Sequence, residues 1–318
     1  MDSLRMMVGK RVAFGLLTIM VVSALVFLGV EALPGDVAEA ILGQQATPET
    51  VAAFRRELKL DLPPHVRYFT WLRDFVRGDL GTSLANQRPI SGMIGWRLEN
   101  SLFLAATAAM IAVPLSVILG MLAALYRNSW FDKTISLSTL STISFPEFFV
   151  AYILIAVLSA GFNLCPSMST ITDEMTFFEK VYNILLPCLT LTLVVAAHMM
   201  RMTRAAIINV LSSEYIEMAR LKGIRWGRII VHHAFPNALS PIINVIVLNL
   251  AWLVVGVVVV EVVFVYPGLG QLMVDSVSKR DLPVIQACGL IFAITYISLN
   301  LLADVLSMIS NPKLRQPR

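Results

Sequence analysis

Six stretches of the 318-residue chain stay apolar long enough to be read as membrane helices. A hydrocarbon core of roughly 30 Å needs about 20 apolar residues in a helix, because lipid offers no partner to an unpaired backbone amide. The first stretch is 12–33, with Glu31 its only charge, and the second, 101–125, carries none. The third runs over 134–162 with Pro146 and Glu147 in its middle. The fourth starts near Ile184 and stays apolar to Met200. The fifth is 238–264, with Glu261 near its end, and the sixth is 284–308, with Asp304 near its end. The first run is preceded by Arg5, Lys10 and Arg11, as a signal peptide would be. At about 22 residues it exceeds a signal-peptide core of roughly 7–15 residues, so it is expected to stay as a membrane helix.

Between the apolar runs lie two longer polar segments. Residues 34–100 are too short and too charged for a large core of their own. Within them Val51, Phe54, Leu58 and Leu62 recur at helical spacing after Thr47 and Pro48, and Asp61-Leu62-Pro63-Pro64 ends that pattern. A second short helix is expected over 65–76, then a turn at Gly78-Asp79-Leu80-Gly81. The second segment, 201–237, reads as a short helix that Ser212-Ser213-Glu214 opens, with Glu214 and Glu217 in its first turn. Gly223 closes it, and another helical run over 225–235 is expected to end before Pro236.

Composition narrows the function. Only 14% of residues are charged and the mean hydropathy is +0.75, against about 25% charged in soluble domains. Three scattered cysteines (Cys165, Cys188, Cys288) make no disulfide framework or zinc site. The formal charge of +4 does not point to nucleic acid, and the placement of the basic residues matters more. With the N-terminus inside, 14 of the 25 Lys and Arg fall on inner segments, within short loops, so both termini are expected to be cytoplasmic. The fold class is therefore an all-α membrane protein of six spans. It divides into the N-terminus and first helix (1–33), an external segment (34–100), a membrane core (101–308, with the cytoplasmic loop at 201–237) and a tail (309–318).

Enzyme chemistry finds no foothold. There is no G-x-x-x-x-G-K-[ST] loop to cradle ATP and no H-E-x-x-H. The adjacent His232 and His233 cannot clamp a metal from one helix face, and no nucleophile–base pair stands out. What remains is polar groups at membrane depth, which mark cavities or partner contacts. Glu147 is the best placed, with Asn244, Asn249, Glu261, Asn300 and Asp304 as weaker cases, of which Asn244 and Asn249 are taken with Glu147 as candidates for lining a translocation path. The competing use of each, a hydrogen bond between helices, is the commoner one.

The segment Glu214-Tyr215-Ile216-Glu217-Met218-Ala219-Arg220-Leu221-Lys222-Gly223, with Pro236 beyond it, resembles the EAA loop of bacterial ABC-importer permeases, E-A-A-x3-G-x9-I-x-L-P. Glu217, Ala219, Gly223 and Pro236 fall at the family spacing, while Met218 replaces an alanine, His233 the isoleucine and Phe235 the leucine. The surrounding wording is similar to the dipeptide/oligopeptide subfamily. So are Leu33-Pro34-Gly35-Asp36, Leu60-Asp61-Leu62-Pro63, Gly78-Asp79-Leu80-Gly81-Thr82-Ser83, Arg88-Pro89-Ile90, Pro267-Gly268-Leu269-Gly270-Gln271-Leu272, Arg280-Asp281-Leu282-Pro283 and the tail Asn311-Pro312-Lys313-Leu314-Arg315.

The resemblance implies a non-catalytic permease subunit in the bacterial inner membrane. Its implied partners are a homologous permease in a heterodimer, two cytoplasmic ATPase subunits that bind ATP and Mg, and an extracytoplasmic solute-binding protein. No cofactor is implied in this chain. Glu214, Tyr215, Glu217, Ala219, Lys222, Gly223 and Pro236 are the positions it assigns to ATPase coupling. Subfamily solutes range over dipeptides, longer peptides, nickel, glutathione, opines and sugars. The rival readings are a secondary transporter or channel, which would need paired broken helices or an ion site in one chain, and a membrane-embedded enzyme.

Overall fold

A chain with little water around it must satisfy its amides within each segment, and the helices here are correspondingly long. The computed structural model describes residues 2–32, 46–57, 61–172 and 174–310, with one isolated bridge, Thr82 to Pro89, and no strand among them. The Leu33–Asp36 block, Leu58, Leu60 and the Asn311–Arg315 tail motif lie outside the described residues. In chain order the helices are α1 (Asp2–Glu31), α2 (Pro48–Glu57), α3 (Pro64–Val76), α4 (Ile90–Leu125), α5 (Trp130–Ser144) and α6 (Glu147–Leu154), the last extended by a π turn over Ile155–Gly161. Then come α7 (Phe177–Asn183), α8 (Leu185–Leu211), α9 (Glu214–Leu221), α10 (Trp226–Ile229) with a π turn over Ile230–Ala234, α11 (Phe235–Val263), α12 (Leu269–Ser278) and α13 (Leu282–Ser310).

All six apolar runs are helical, and six spans result if each of two bent pairs counts as one. The expected third span is not a single rod. Its halves, α5 and the α6 segment, are bent by 106° from a straight line. Pro146 lacks an amide hydrogen and forces its predecessor out of the helical region, and Phe145 accordingly sits at φ −98°, ψ 138°. The fourth helix runs past Met200 to Leu211, so Arg201 and Arg204 ride on it rather than in the loop. Nor does the helical run after Arg225 end before Pro236. It continues through the π turn into α11, where Pro236 occupies the first turn and its missing amide hydrogen is not needed.

The core is built on α4, α8 and α11. Leu104, Ala105, Ala108 and Ala112 of α4 pack with Leu191, Val195 and Met199 of α8 and with Leu253, Val257 and Val260 of α11. Small residues let membrane helices approach closely. At Gly120, between α4 and α8, a Cβ would lie 2.8 Å from the Met200 carbonyl oxygen. On the periphery α1 pairs with α13, where Arg11 meets Asp304 at 2.7 Å. Helix α3 folds against α1 through Arg67–Glu31 at 2.8 Å and a Ser23–Tyr68 hydrogen bond of 2.8 Å.

Candidate functional site

The connection between α8 and α11 is a compact element. Ser213 is the N-cap of α9, yet its hydroxyl donates back to the Val210 carbonyl at 2.5 Å instead of capping, which departs from the sequence expectation. At the other end Gly223 has φ +73°. Its amide donates to the Arg220 carbonyl at 3.0 Å and the Ile224 amide to the Ala219 carbonyl at 3.3 Å. These are the two bonds of a Schellman cap, which needs a left-handed residue at this position. The turn lays α9 back on the helices it joins, burying Ile216 and Ala219 with Ile229 and Ala234 against Val210, Leu211 and Ile224.

The opposite face of α9 is open. Tyr215, Met218 and Leu221 are 43%, 55% and 75% exposed, and Glu214, Glu217 and Lys222 are exposed beside them. Large apolar side chains and carboxylates together on an exposed helix face suit a protein partner. Of the residues singled out in the sequence, Ala219 serves the inner face, Gly223 the turn, and Glu214, Tyr215, Glu217 and Lys222 the outer face. Pro236 is exposed at the start of α11, and the Tyr215 hydroxyl reaches the nearby His233 carbonyl at 3.4 Å.

At membrane depth the structure separates the three path candidates. Glu147 begins α6 just past the bend and rests against α11 at Gly256, where a Cβ would lie 3.3 Å from Oε2. Asn249, Trp252 and Gly256 share one face of α11, being three and seven residues apart. Asn244 lies on the order of 140° around that helix at 3.6 residues per turn, away from Glu147. The Asn249 amide donates to its own helix at the Val245 carbonyl, 2.7 Å away.

Sequence reasoning missed three polar clusters. Fully buried Glu261 accepts hydrogen bonds from the Ser101 hydroxyl and from the amides of Gly270 and Gln271, at 2.7 and 3.1 Å for the amides. Ser101 in turn accepts from the Leu269 amide at 2.8 Å. A carboxylate on α11 and a hydroxyl on α4 thereby cap α12, satisfying orphan amides that water would otherwise take. Asp281 plays a parallel part, accepting from the Ser83 hydroxyl and from the Leu84 and Ala85 amides, the latter two at 3.1 and 3.3 Å. Around it Ile90 and Ile94 pack with Leu269, Leu272 and Val284, so motifs far apart in the chain form one outer assembly. The third cluster is a two-pronged ion pair, Arg204 to Asp132 at 2.6 and 2.8 Å, which ties the start of α5 to α8. Ser83 and Asp281 each lie in a motif shared with the subfamily, and Glu261 stood out as a charge near the end of an apolar run, but nothing local showed which partners they meet.

Comparison with known proteins agrees with this architecture. Residues 116–316 match the family described as binding-protein-dependent transport system inner membrane component, and residues 3–105 match the N-terminal component of such systems. The chain is 37% identical over 298 residues to the glutathione transport system permease protein GsiC of Salmonella choleraesuis (strain SC-B67), covering 94% of this chain and 95% of the relative. GsiC of Salmonella typhi shows the same figures. GsiC of Escherichia coli (strain K12) is 38% identical over the same shares. With its long apolar helices, the compact connection between α8 and α11 and a family match over most of its length, the chain belongs to the inner-membrane components of binding-protein-dependent transport systems and is a permease subunit of an ABC importer.

Proposed function

We propose that this permease forms one half of the path for a small peptide-like solute, paired with a homologous permease in a heterodimer. Two cytoplasmic ATPase subunits supply ATP hydrolysis, with Mg and nucleotide bound there, and this chain carries no cofactor of its own. An extracytoplasmic binding protein delivers the solute onto residues 34–100 and 265–283. The printed names of the relatives concern glutathione, which supports a peptide-like solute. The bias of basic residues supports cytoplasmic termini.

The observation that carries the reading is the two-faced α9. Its inner face is packed on the end of α8 and on α10 with its π turn, and its outer face is exposed and apolar with carboxylates beside it. A partner that seats on Tyr215, Glu217, Met218 and Leu221 and moves would displace α9 as a rigid body, because packed interiors deform little. The displacement passes into α8 directly and into α11 through α10 and the π turn that runs into it. It passes into α5 through Asp132 and Arg204, and so to the bend beside Glu147. Glu214, Glu217 and Lys222 serve as polar contacts on the ATPase, and Ala219, Gly223 and Pro236 hold the helix in place.

Gly223→Val tests this. At φ +73° a β-branched residue costs on the order of 1–2 kcal/mol, enough to shift the turn without unfolding the spans. Membrane insertion should be normal, while co-purification of the ATPase subunits and solute uptake fall several-fold. Gly289→Ala on α13, where a Cβ meets only Val26 at 3.5 Å, should leave both at wild-type levels. Wild-type association and uptake in Gly223→Val would remove α9 as the coupling element.

A further inference from the structure

We propose that α3 is embedded in the membrane, in the leaflet at the Glu31 end of α1, with its free face solvated by lipid chains. With 13 residues, about 20 Å of helix, it is too short to cross a core of roughly 30 Å and lies within one leaflet. Helix α1 supplies the ruler for its depth. Arg11 and Glu31 stand 20 residues apart, about 30 Å along the helix, which is the thickness of that core. The two charges therefore mark its boundaries. Ser23 lies eight residues inward of Glu31 and Phe27 four, about 12 and 6 Å below that boundary.

Helix α3 meets α1 at these depths. The Tyr68 hydroxyl and Ser23 Oγ are 2.8 Å apart, and the Ser23 hydroxyl donates to the Met20 carbonyl at 2.8 Å. The Phe27 ring meets Tyr68 edge-on at 5.5 Å between centroids and Trp71 at 6.1 Å. Arg67 reaches Glu31 at the boundary itself, with its guanidinium 5.9 Å from the Phe27 ring centre. Contacts at Ser23, Phe27 and Glu31 together set α3 beside the last two turns of α1 rather than above its end. Charge is handled as that depth requires. Arg67 is paired with Glu31, and Arg73 with Asp74 at 3.1 Å, which lowers the cost of withdrawing them from water. No residue of α3 is buried, and on the face turned from α1 Phe69 and Val76 are 64% and 78% exposed. Leu25 and Leu28 of α1, at the same depth, are exposed as well, so the two helices present one continuous apolar surface. An amphipathic helix of this kind, with Tyr and Trp among its rings, suits the lipid interface. Of the segments proposed to meet a binding protein, residues 78–89 and 265–283 then remain for docking, and α3 serves as an anchor. The inference rests on α1 as a membrane span and not on the identity of the solute.

The test uses the complete transport complex in nanodiscs of phosphatidylcholine and phosphatidylglycerol. Phe69→Cys, Val21→Cys and Gln87→Cys are each labelled with a nitroxide. Collision with oxygen, which concentrates in lipid, is compared with collision with a nickel chelate, which stays in water. Val21, exposed and midway between Arg11 and Glu31, gives the lipid limit, and exposed Gln87 gives the water limit. Cys165, Cys188 and Cys288 are buried, and the unsubstituted complex measures any label they take up. The oxygen-to-nickel ratio at position 69 should match that at 21 and exceed that at 87 several-fold. Val76→Cys, on the same face, gives the reading should Phe69→Cys fail to assemble. A ratio like that at 87 makes α3 a water-exposed cap and overturns the proposal. Exclusion of both reagents also overturns it, because a protein then covers the face: the partner permease if the exclusion is constant, the binding protein if it appears only on its addition. ATPase association and uptake measured on the same preparations test the permease reading separately, so a complex that couples normally with a wet α3 sinks the membrane anchor alone.

Discussion

Gly268 and Gly270 show how narrowly single residues are specified here. A Cβ on Gly268 would stand 2.1 Å from the carboxyl carbon of Glu261, and one on Gly270 2.7 Å from the Val258 backbone. Only bare backbone lets a buried carboxylate reach the amides of α12. Gly268→Ala should therefore destabilise the purified permease by about 1–3 kcal/mol through overpacking, read as a lower thermal unfolding midpoint. Gly92→Ala on α4, where nothing lies within 4 Å, should be neutral or stabilising by up to about 1 kcal/mol. Glu261→Ala should be worse than Gly268→Ala, since it strands two buried amides at about 1–3 kcal/mol each. Equal midpoints for Gly268→Ala and Gly92→Ala would show that the cap contributes nothing. The same scale separates the intramembrane polar residues. Glu261 looked like one more polar group near a helix end, and its role became visible only with Ser101 and α12 around it.

Among the elements, the bend between α5 and α6 is the feature most open to measurement. At about 1.5 Å per residue, a straight helix would set spin labels at Lys133 and Phe162 roughly 43 Å apart. A bend of 106° away from a straight rod brings them to roughly 25 Å by the same rise per residue. A measured distance near the longer value would mean one continuous span. The proline was plain in the sequence and the break follows from its chemistry, but the angle does not. That depends on what α6 packs against, namely α11, with Val150 and Ala151 buried. The end of α8 was hidden for a related reason. Arg201 and Arg204 look like loop residues by hydropathy, yet Arg204 finds Asp132, 72 positions earlier. In α9, by contrast, the glycine at 223 announced the turn, while the face that Ile216 and Ala219 bury became visible only in the packing.

For the whole molecule, the arrangement predicts a definite topology. Reporter fusions after Asn128 and Leu221 should read cytoplasmic, and fusions after Gln87 and Asp275 external, since short basic loops are retained inside. A cytoplasmic reading at Gln87 would overturn both orientation and span count. The sequence by itself determined the membrane class, the six apolar runs and the helix and glycine turn that follow α8, because length, hydropathy and glycine placement are local properties that lipid and backbone geometry read directly. Only the tertiary structure decided which carboxylates are satisfied. Glu261 and Asp281 meet their donors across 160 and 198 residues of chain, while Glu147 Oε2 meets none among the described residues. Such pairings depend on which helices pack together, and hydrophobic periodicity, which fixes the face that each helix buries, carries no record of the neighbour it is buried against.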